Sequence, residues 1–502
     1  MNNIRIIFFS AALCVLIVFG LVGCNNREYP EASIIPITTG EPNSCDTADQ
    51  HDIVTLRVIT EVSSAYGMNE QVQLAKETFE AANKNVTVEV TILPTDAVER
   101  TVALEQLRSQ RITGVGPDVY LLPTGKYVDD ISGKRVWIQV EPVFSDVTLS
   151  MQKGMFADIS QYYDADDDLR KETLNQTVMS AGVLMDKRYV LPLRYDAPVI
   201  YADLNALDKV GISRENLEGS VTELMDAAIE SGDPKTALVA SLIPRAEHLF
   251  SHAIDYDNHT VLLEEQEVAS ILEKRKLLEH MRSVLWKQDD FIYPRSLFNT
   301  YVNDGYFWCL NGYPMYLDSL RTSMENTAMF AQHGLELTML PLKSTENTWI
   351  ASVTYYGAVD SECKNVGLAY EFLRTFLTED YQWAKNVELA YGNSCLIHNS
   401  WPVRTTGSVT PLWSRLQEFF KYCCVPGDKR AELARSFRDE TVAPTDEKLP
   451  ILQMEPDEVV FPLAYKGDLA WDQLVSRALA EDSNIQVLAK EWVSSMEQQL
   501  IE

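Results

Sequence analysis

The sequence predicts an α/β fold built on parallel strands. Three observations carry this expectation. Apolar residues alternate with period two in some segments and recur at helical spacing in the segments between. The two patterns follow one another as β-α-β-α-β within 70 residues, the order that right-handed parallel crossovers require. Composition agrees: 46% hydrophobic and 23% charged residues suit a chain that buries a core.

The elements follow in order. Residues 54–60, VTLRVIT, are rich in β-branched side chains and predict the first strand. A helix is expected over 70–83, where Val72, Ala75, Phe79 and Ala82 share one face and Asn69 offers an N-cap. NVTVEVTIL at 85–93 alternates, with Val86, Val88, Val90 and Ile92 on one side. A second helix is expected over 97–110. Val119 to Leu122, between Pro117 and Pro123, reads as a buried strand. Residues 189–207 form an extended run with two prolines, and 213–290 read as mostly helical. Residues 301–316 hold six aromatics, read chiefly as core. LELTMLPL at 335–342 and the stretch around TYYGAV at 354–359 predict strands. Helices are expected at 366–378, 467–481 and 484–501.

In open parallel sheets, ligands bind beyond the carboxyl ends of the strands. Here those ends lead into 61–69, which offers Ser63, Ser64 and Tyr66, and into 123–127, which offers Thr124 and Tyr127. These are small polar groups and aromatics rather than a catalytic cluster.

The chain has 502 residues and a net charge of −30, from 43 basic and 73 acidic side chains. That balance argues against nucleic acid, which needs a basic footprint, and against electrostatic adhesion to anionic lipid. A tie to the membrane is nevertheless expected at the N-terminus. Arg5 precedes an uncharged apolar run at 6–23 that ends in LVGC. This has the form of a secretory leader, and its end resembles the bacterial lipobox. Residues 1–23 are therefore expected to be a lipoprotein signal peptide, with Cys24 lipidated and held by buried methylenes. Cleavage would remove Arg5 and take the charge from −30 to −31. Residues 24–52 are expected to be the lipidated cysteine and a flexible tether. Three prolines and many turn formers suit it to roughly 30 Å of reach.

Eight cysteines are present. With Cys14 and Cys24 set aside, six remain, and their pairing is open. Cys423 and Cys424 lie about 3.8 Å apart at Cα, short for an unstrained bridge. No CxxC motif occurs.

Tests for catalysis and metals are negative. GVGPDV at 114–119 starts like a dinucleotide fingerprint, but ends on Val119 and precedes a strand. No GxxxxGK[ST] or GxSxG is present. His248 and His252 are four apart, as on one helix face, but Leu249 stands where zincins need Glu. They read as two histidines on a partly solvated helix. Asp164, Asp166 and Asp168 imitate the start of an EF-hand loop, yet Leu169 and Asn175 occupy its glycine and glutamate positions. A solvated acidic turn is the expectation there. No metal, no cofactor and no enzymatic activity are expected.

Longer segments, taken in order, resemble family 1 of the extracellular solute-binding proteins of ABC importers, the group of maltose- and oligosaccharide-binding lipoproteins. They are VTLRVIT, QVQLAKETFEAAN (71–83), VTVEVTIL, GVGPDVYLLP (114–123), DKRYVLPLRYDAPVIYADLNALDKVGI (186–212), GYPMYLDS (312–319) and KNVGLAYEFLRTFLTEDYQWA (364–384). The chain departs from the family pattern at Asp186, Asp203 and Pro314. The resemblance implies a periplasmic-binding-protein-like fold: two α/β lobes joined by hinge strands, with a ligand cleft between them. The first lobe would span 53–194 and 318–377, the second 195–317 and 378–502. The chain would cross near 194–197, 315–319 and 378.

The resemblance further implies a monomeric, lipid-anchored receptor on the outer face of the cell membrane. It would hand a small solute, expected to be a sugar or oligosaccharide, to ABC permease subunits. Candidate ligand contacts are Ser64, Tyr66, Thr124, Tyr127, Arg194, Tyr195, Asp196, Asp318, Ser319, Tyr355 and Tyr356. Polar groups would meet hydroxyls, and aromatic faces would stack on sugar rings. Arg194 could instead clamp a carboxylate or phosphate, which would point away from neutral sugars. Two alternatives stand beside this reading: a secreted lipoprotein polysaccharide hydrolase, and a sensory receptor that presents ligand to a membrane kinase.

Overall fold

The computed structural model describes residues 53–61, 68–124, 127–129, 137–139, 141–202, 213–232, 234, 246–283, 338–382, 401–406, 454–462, 471–480 and 482–501. The expectations for the leader, Cys24, the tether, the aromatic run, the passage near 315–319 and the cysteines other than Cys363 lie outside these residues. Cys363 is a buried free thiol.

The alternating start folds as its periodicity predicts. Strand β1 (Val54–Glu61) leads to helix α1 (Met68–Ala82), strand β2 (Val86–Leu93), helix α2 (Ala97–Ile112) and strand β3 (Val119–Pro123). β1 lies in the middle and pairs in parallel with both β2 and β3. Asp96 caps α2 by accepting from the amides of Val98 and Glu99. Asn69, expected as an N-cap, lies instead within the first turn of α1. Val72, Ala75 and Phe79 are buried, whereas Ala82 has rotated into solvent at the helix end.

Later segments complete the sheet. Strand β4 (Val190–Asp196) continues after Ala197-Pro198 into strand β5 (Val199–Ala202). Helix α3 (Val221–Ser231) opens with a capping box in which Ser220 and Glu223 bond each other's amides. Helix α4 (Glu265–Ser283), strand β6 (Thr338–Pro341), strand β7 (Ile350–Val359) and helix α5 (Val366–Arg374) follow. Strands β8 (Trp401–Pro402) and β9 (Glu458–Val460) precede helices α6 (Trp471–Ala478) and α7 (Ile485–Ile501). The main sheet has the order β8-β4-β7-β3-β1-β2, with β9 also paired to β7. β7 is antiparallel to both β3 and β4, so the sheet is mixed.

Alternation along the central strands feeds one core on each face. Leu56, Val58, Val119 and Leu121 join one core with Phe79 and Phe372. Ile59, Tyr120 and Leu122 join the other with Leu104 and Leu107. A separate core packs Leu224 and Met225 of α3, Leu272 of α4, Leu340 of β6 and Trp471 and Trp492 of the last two helices. β5 and β6 form the antiparallel pair beside the passage between the cores, and the Trp349 indole N–H, donating to Pro198 O at 2.8 Å, pins that turn.

The hydrophobic cores divide elsewhere than at the expected boundaries near 318 and 378. Leu340 and Leu342 pack with the helices of the separate core. Tyr381, Trp401 and Val403 still pack against the main sheet. Long-range pairing of β8 and β9 draws these segments back, and pairing at such separation leaves no local pattern.

Gly182 marks a close approach. A Cβ there would lie 1.9 Å from Val190 O, while Gly182 O accepts from the amides of Tyr189 and Val190. Gly182→Ala must push the turn off β4. We expect a loss of about 1–3 kcal/mol in a urea titration. A midpoint identical to that of the parent would contradict this geometry.

Candidate functional site

The strand order creates a switch point. From β1 the chain moves outward to β2, then returns across β1 to β3. Right-handed crossovers therefore place α1 and α2 on opposite faces. The core memberships of Phe79 and of Leu104 agree. Crevices at such points open at the carboxyl ends of the strands. The carboxyl ends of β1 and β3 are Glu61 and Pro123, followed by Thr124. Because β7 is antiparallel to β3 and to β4, its first residues and the last residues of β4 lie at this same end.

Buried polar groups gather there: Thr60, Glu61, Arg100, Arg194, Asp196, Ser352 and Thr354. Arg100, 1% exposed, donates to Glu61 Oε1 at 2.5 Å, to Glu141 O at 2.5 Å and to Pro94 O at 3.2 Å. It thereby ties together the ends of β1 and β2 and the segment after the short strand 137–139. Burial pushes the Glu61 carboxyl above its usual range, and Arg100 opposes that shift. Tyr355 Oη donates to Leu121 O at 3.0 Å and lies 3.2 Å from Thr60 Oγ1. Thr124 donates its amide to Thr354 O at 2.9 Å and its hydroxyl to Val353 O. His248 Nε2 lies 2.9 Å from Ser352 Oγ. The Thr354 hydroxyl is buried with no partner among the described residues.

The expected contacts fall as follows. Thr124 is half-buried at the end of β3. Arg194, Tyr195 and Asp196 form the buried end of β4. Tyr355 and Tyr356 are wholly interior on β7, one in each of the two sheet cores. Burial raises the hydroxyl pKa of Tyr195, Tyr355 and Tyr356. Tyr127 opposes Gln139 in a short antiparallel pair, Tyr127–Asp129 with Trp137–Gln139. Ser64, Tyr66, Asp318 and Ser319 lie outside the described residues. Glu61, Arg100, Ser352 and Thr354 were not singled out from sequence. One signal was available for Arg100: it shares helical spacing with Leu104 and Leu107, a charge on an apolar stripe.

Two of the tested motifs differ from expectation. His248 is buried at the end of a short helix, Ala246–Leu249, while His252 is exposed beyond it at φ 49°. The helix ends too soon to align them. Asp166 is not solvated. It accepts from Tyr370 Oη at 2.8 Å and Arg374 Nη1 at 2.5 Å, and caps the Leu169 amide. Among the described residues, no group of three or more metal-ligating side chains exists. No helix among them is long and apolar enough to cross a membrane. A cavity of about 200 Å³ at the amino end of β1 is lined by charges that answer one another: Arg111 pairs with Asp360 at 2.6 Å, and Asp118 accepts from the Arg57 amide.

The chain is thus a mixed α/β protein with a polar, switch-point rim. No protein-family model matches its sequence, and none of the curated proteins is similar to it. Solved structures similar to it include an extracellular solute-binding protein family 1 member from Alicyclobacillus acidocaldarius. That protein is 13% identical, with 90% of this chain and 100% of that one covered at a TM-score of 0.47. The sugar-binding protein MalE from Xanthomonas citri is 13% identical, with coverages of 89% and 98% and a TM-score of 0.47. A cyclic alpha-maltosyl-1,6-maltose binding protein from Arthrobacter globiformis is 14% identical, with coverages of 89% and 99% and a TM-score of 0.44.

Proposed function

We propose that the chain is a lipid-anchored solute receptor on the outer face of the membrane, capturing a sugar or oligosaccharide and handing it to an ABC permease without chemical turnover. One observation carries the reading. Separately packed cores are joined through the adjacent pairs β4/β7 and β5/β6, beside the carboxyl end where the switch point lies. Such a passage can flex while each core stays intact. The order of family-like segments and the LVGC end of the leader support the same reading. The cores then serve as two lobes. Loops after β1 and β3, carrying Ser64, Tyr66, Thr124 and Tyr127, meet the solute from one side. Arg194 to Asp196, at the end of β4, and the segment with Asp318 and Ser319 border it, while Tyr355 and Tyr356 pack the sheet cores beneath. Ligand binds the closed form better, and closure extends only as far as that difference in affinity drives it.

The test is a thermal-shift screen of oligosaccharides on the purified mature chain, followed by scattering. A true ligand at 100 times its Kd stabilises by about 2.7 kcal/mol and reduces the radius of gyration. The ligand should be recovered uncleaved. Recovery of shortened sugar would replace the receptor with a hydrolase.

A further inference from the structure

Arg194 is a buried cation with no counter-ion among the described residues. It is 2% exposed in a chain with 73 acidic side chains, yet it forms no ion pair with any carboxylate among the described residues. Its only hydrogen bonds there run from Nη2, to Tyr381 O at 3.1 Å and Gln382 O at 2.7 Å. Nε and Nη1 have no partner among the described residues. The acidic groups at this end are otherwise placed: Glu61 is paired with Arg100, and Asp196, two residues along β4, forms no ion pair with Arg194. Desolvation, with no charge opposing it, lowers the Arg194 pKa to about 9.

The scaffold holds this guanidinium in place. Gln382 donates to Leu193 O at 3.1 Å and Phe376 O at 2.7 Å, and accepts from the Val403 amide at 2.8 Å. Gln71 donates to the same Tyr381 carbonyl at 3.2 Å. An isolated buried cation is costly, and a planar guanidinium with free N–H groups suits an oxyanion. Its place is the end of β4, where the chain leaves the main sheet.

We infer that Arg194 anchors an anionic group of the solute, so that the preferred ligand is an acidic sugar bearing a carboxylate or a phosphate. This rests on the receptor reading above and narrows its ligand class. The anion supplies a counter-charge that no described residue provides, and a neutral sugar of the same size does not supply it.

Calorimetry on the mature chain tests this with maltotetraose, tetragalacturonate and glucose 6-phosphate, against the parent, Arg194→Gln and Arg194→Lys. One anionic probe is expected to bind at least about 30-fold more tightly than maltotetraose. The carboxylate and phosphate arms identify the source of the charge. Arg194→Gln should erase that preference, and Arg194→Lys should reduce it by losing the planar fork. Equal or tighter binding of maltotetraose overturns the anion anchor and leaves the receptor reading intact. A preference that survives Arg194→Gln also overturns it. Binding by none of the probes counts against the receptor reading, and this inference falls with it. Should Arg194→Gln fail to fold, the parent's ranking of the probes and the lysine variant still decide.

Discussion

Arg100→Ala should lower the unfolding free energy by about 3–5 kcal/mol, because it leaves a carboxylate buried without its cation. Glu61 is 3% exposed and sits 2.5 Å from the guanidinium. Glu141 O and Pro94 O would lose their donor as well. The loss should depend on pH in a definite sense. Burial already holds the Glu61 pKa above its ordinary value. A raised folded pKa contributes stability in acid that disappears as pH rises through it. Removing Arg100 removes the one influence that lowers this pKa, so the shift grows. The deficit should therefore be smaller near pH ~5 than near pH ~8. Urea titrations of parent and variant at both pH values check this. A loss that is equal at both, or below about 1 kcal/mol, would show that the pair is not the buried clamp described here. Glu61→Gln in the Arg100→Ala background should recover part of the loss at the higher pH.

The second large effect is expected at Trp492→Ala, also about 3–5 kcal/mol. Trp492 is 1% exposed, with its ring centroid 5.1 Å from that of Trp471 and 6.1 Å from that of Phe250. It fills the centre of the helical core. Phe372→Ala provides the control in a sheet core, where Phe372 meets Phe79 and Phe376 edge-on at 5.4 and 5.7 Å. These side chains belong to different cores, so the two losses should add within about 0.5 kcal/mol in the double variant. Calorimetric midpoints check this. Strong non-additivity would mean that the two side chains are energetically coupled and do not sit in separately packed cores.

The first half of the main sheet was legible in the sequence because its information is local. Period two at 85–93 and helical spacing at 70–83 state which faces must be covered. Even there, the ends escaped. Alternation placed Ile92 with Val86 and Val88, but it is 41% exposed, while Leu93 is buried. β2 is the edge strand, so what covers its last residues depends on neighbours it does not pair with. Of the site, the loops after β1 and β3 could be chosen from strand order alone. Glu61 and Arg100 could not be paired that way, since 39 positions separate them and only the crossover brings them together.

The sequence by itself determined the α/β class, the succession of the first five elements and an acidic charge that argues against nucleic acid as a partner. Each of these follows from residue type and short-range spacing. Only the tertiary structure decided that β7 runs antiparallel between β3 and β4, that 401–403 and 458–461 return to the main sheet, and that Arg194 is buried with no ion pair among the described residues. The physical reason is common to all three. Pairing between distant strands and the desolvation of a charge depend on what surrounds a residue in space, and local periodicity carries no record of those surroundings.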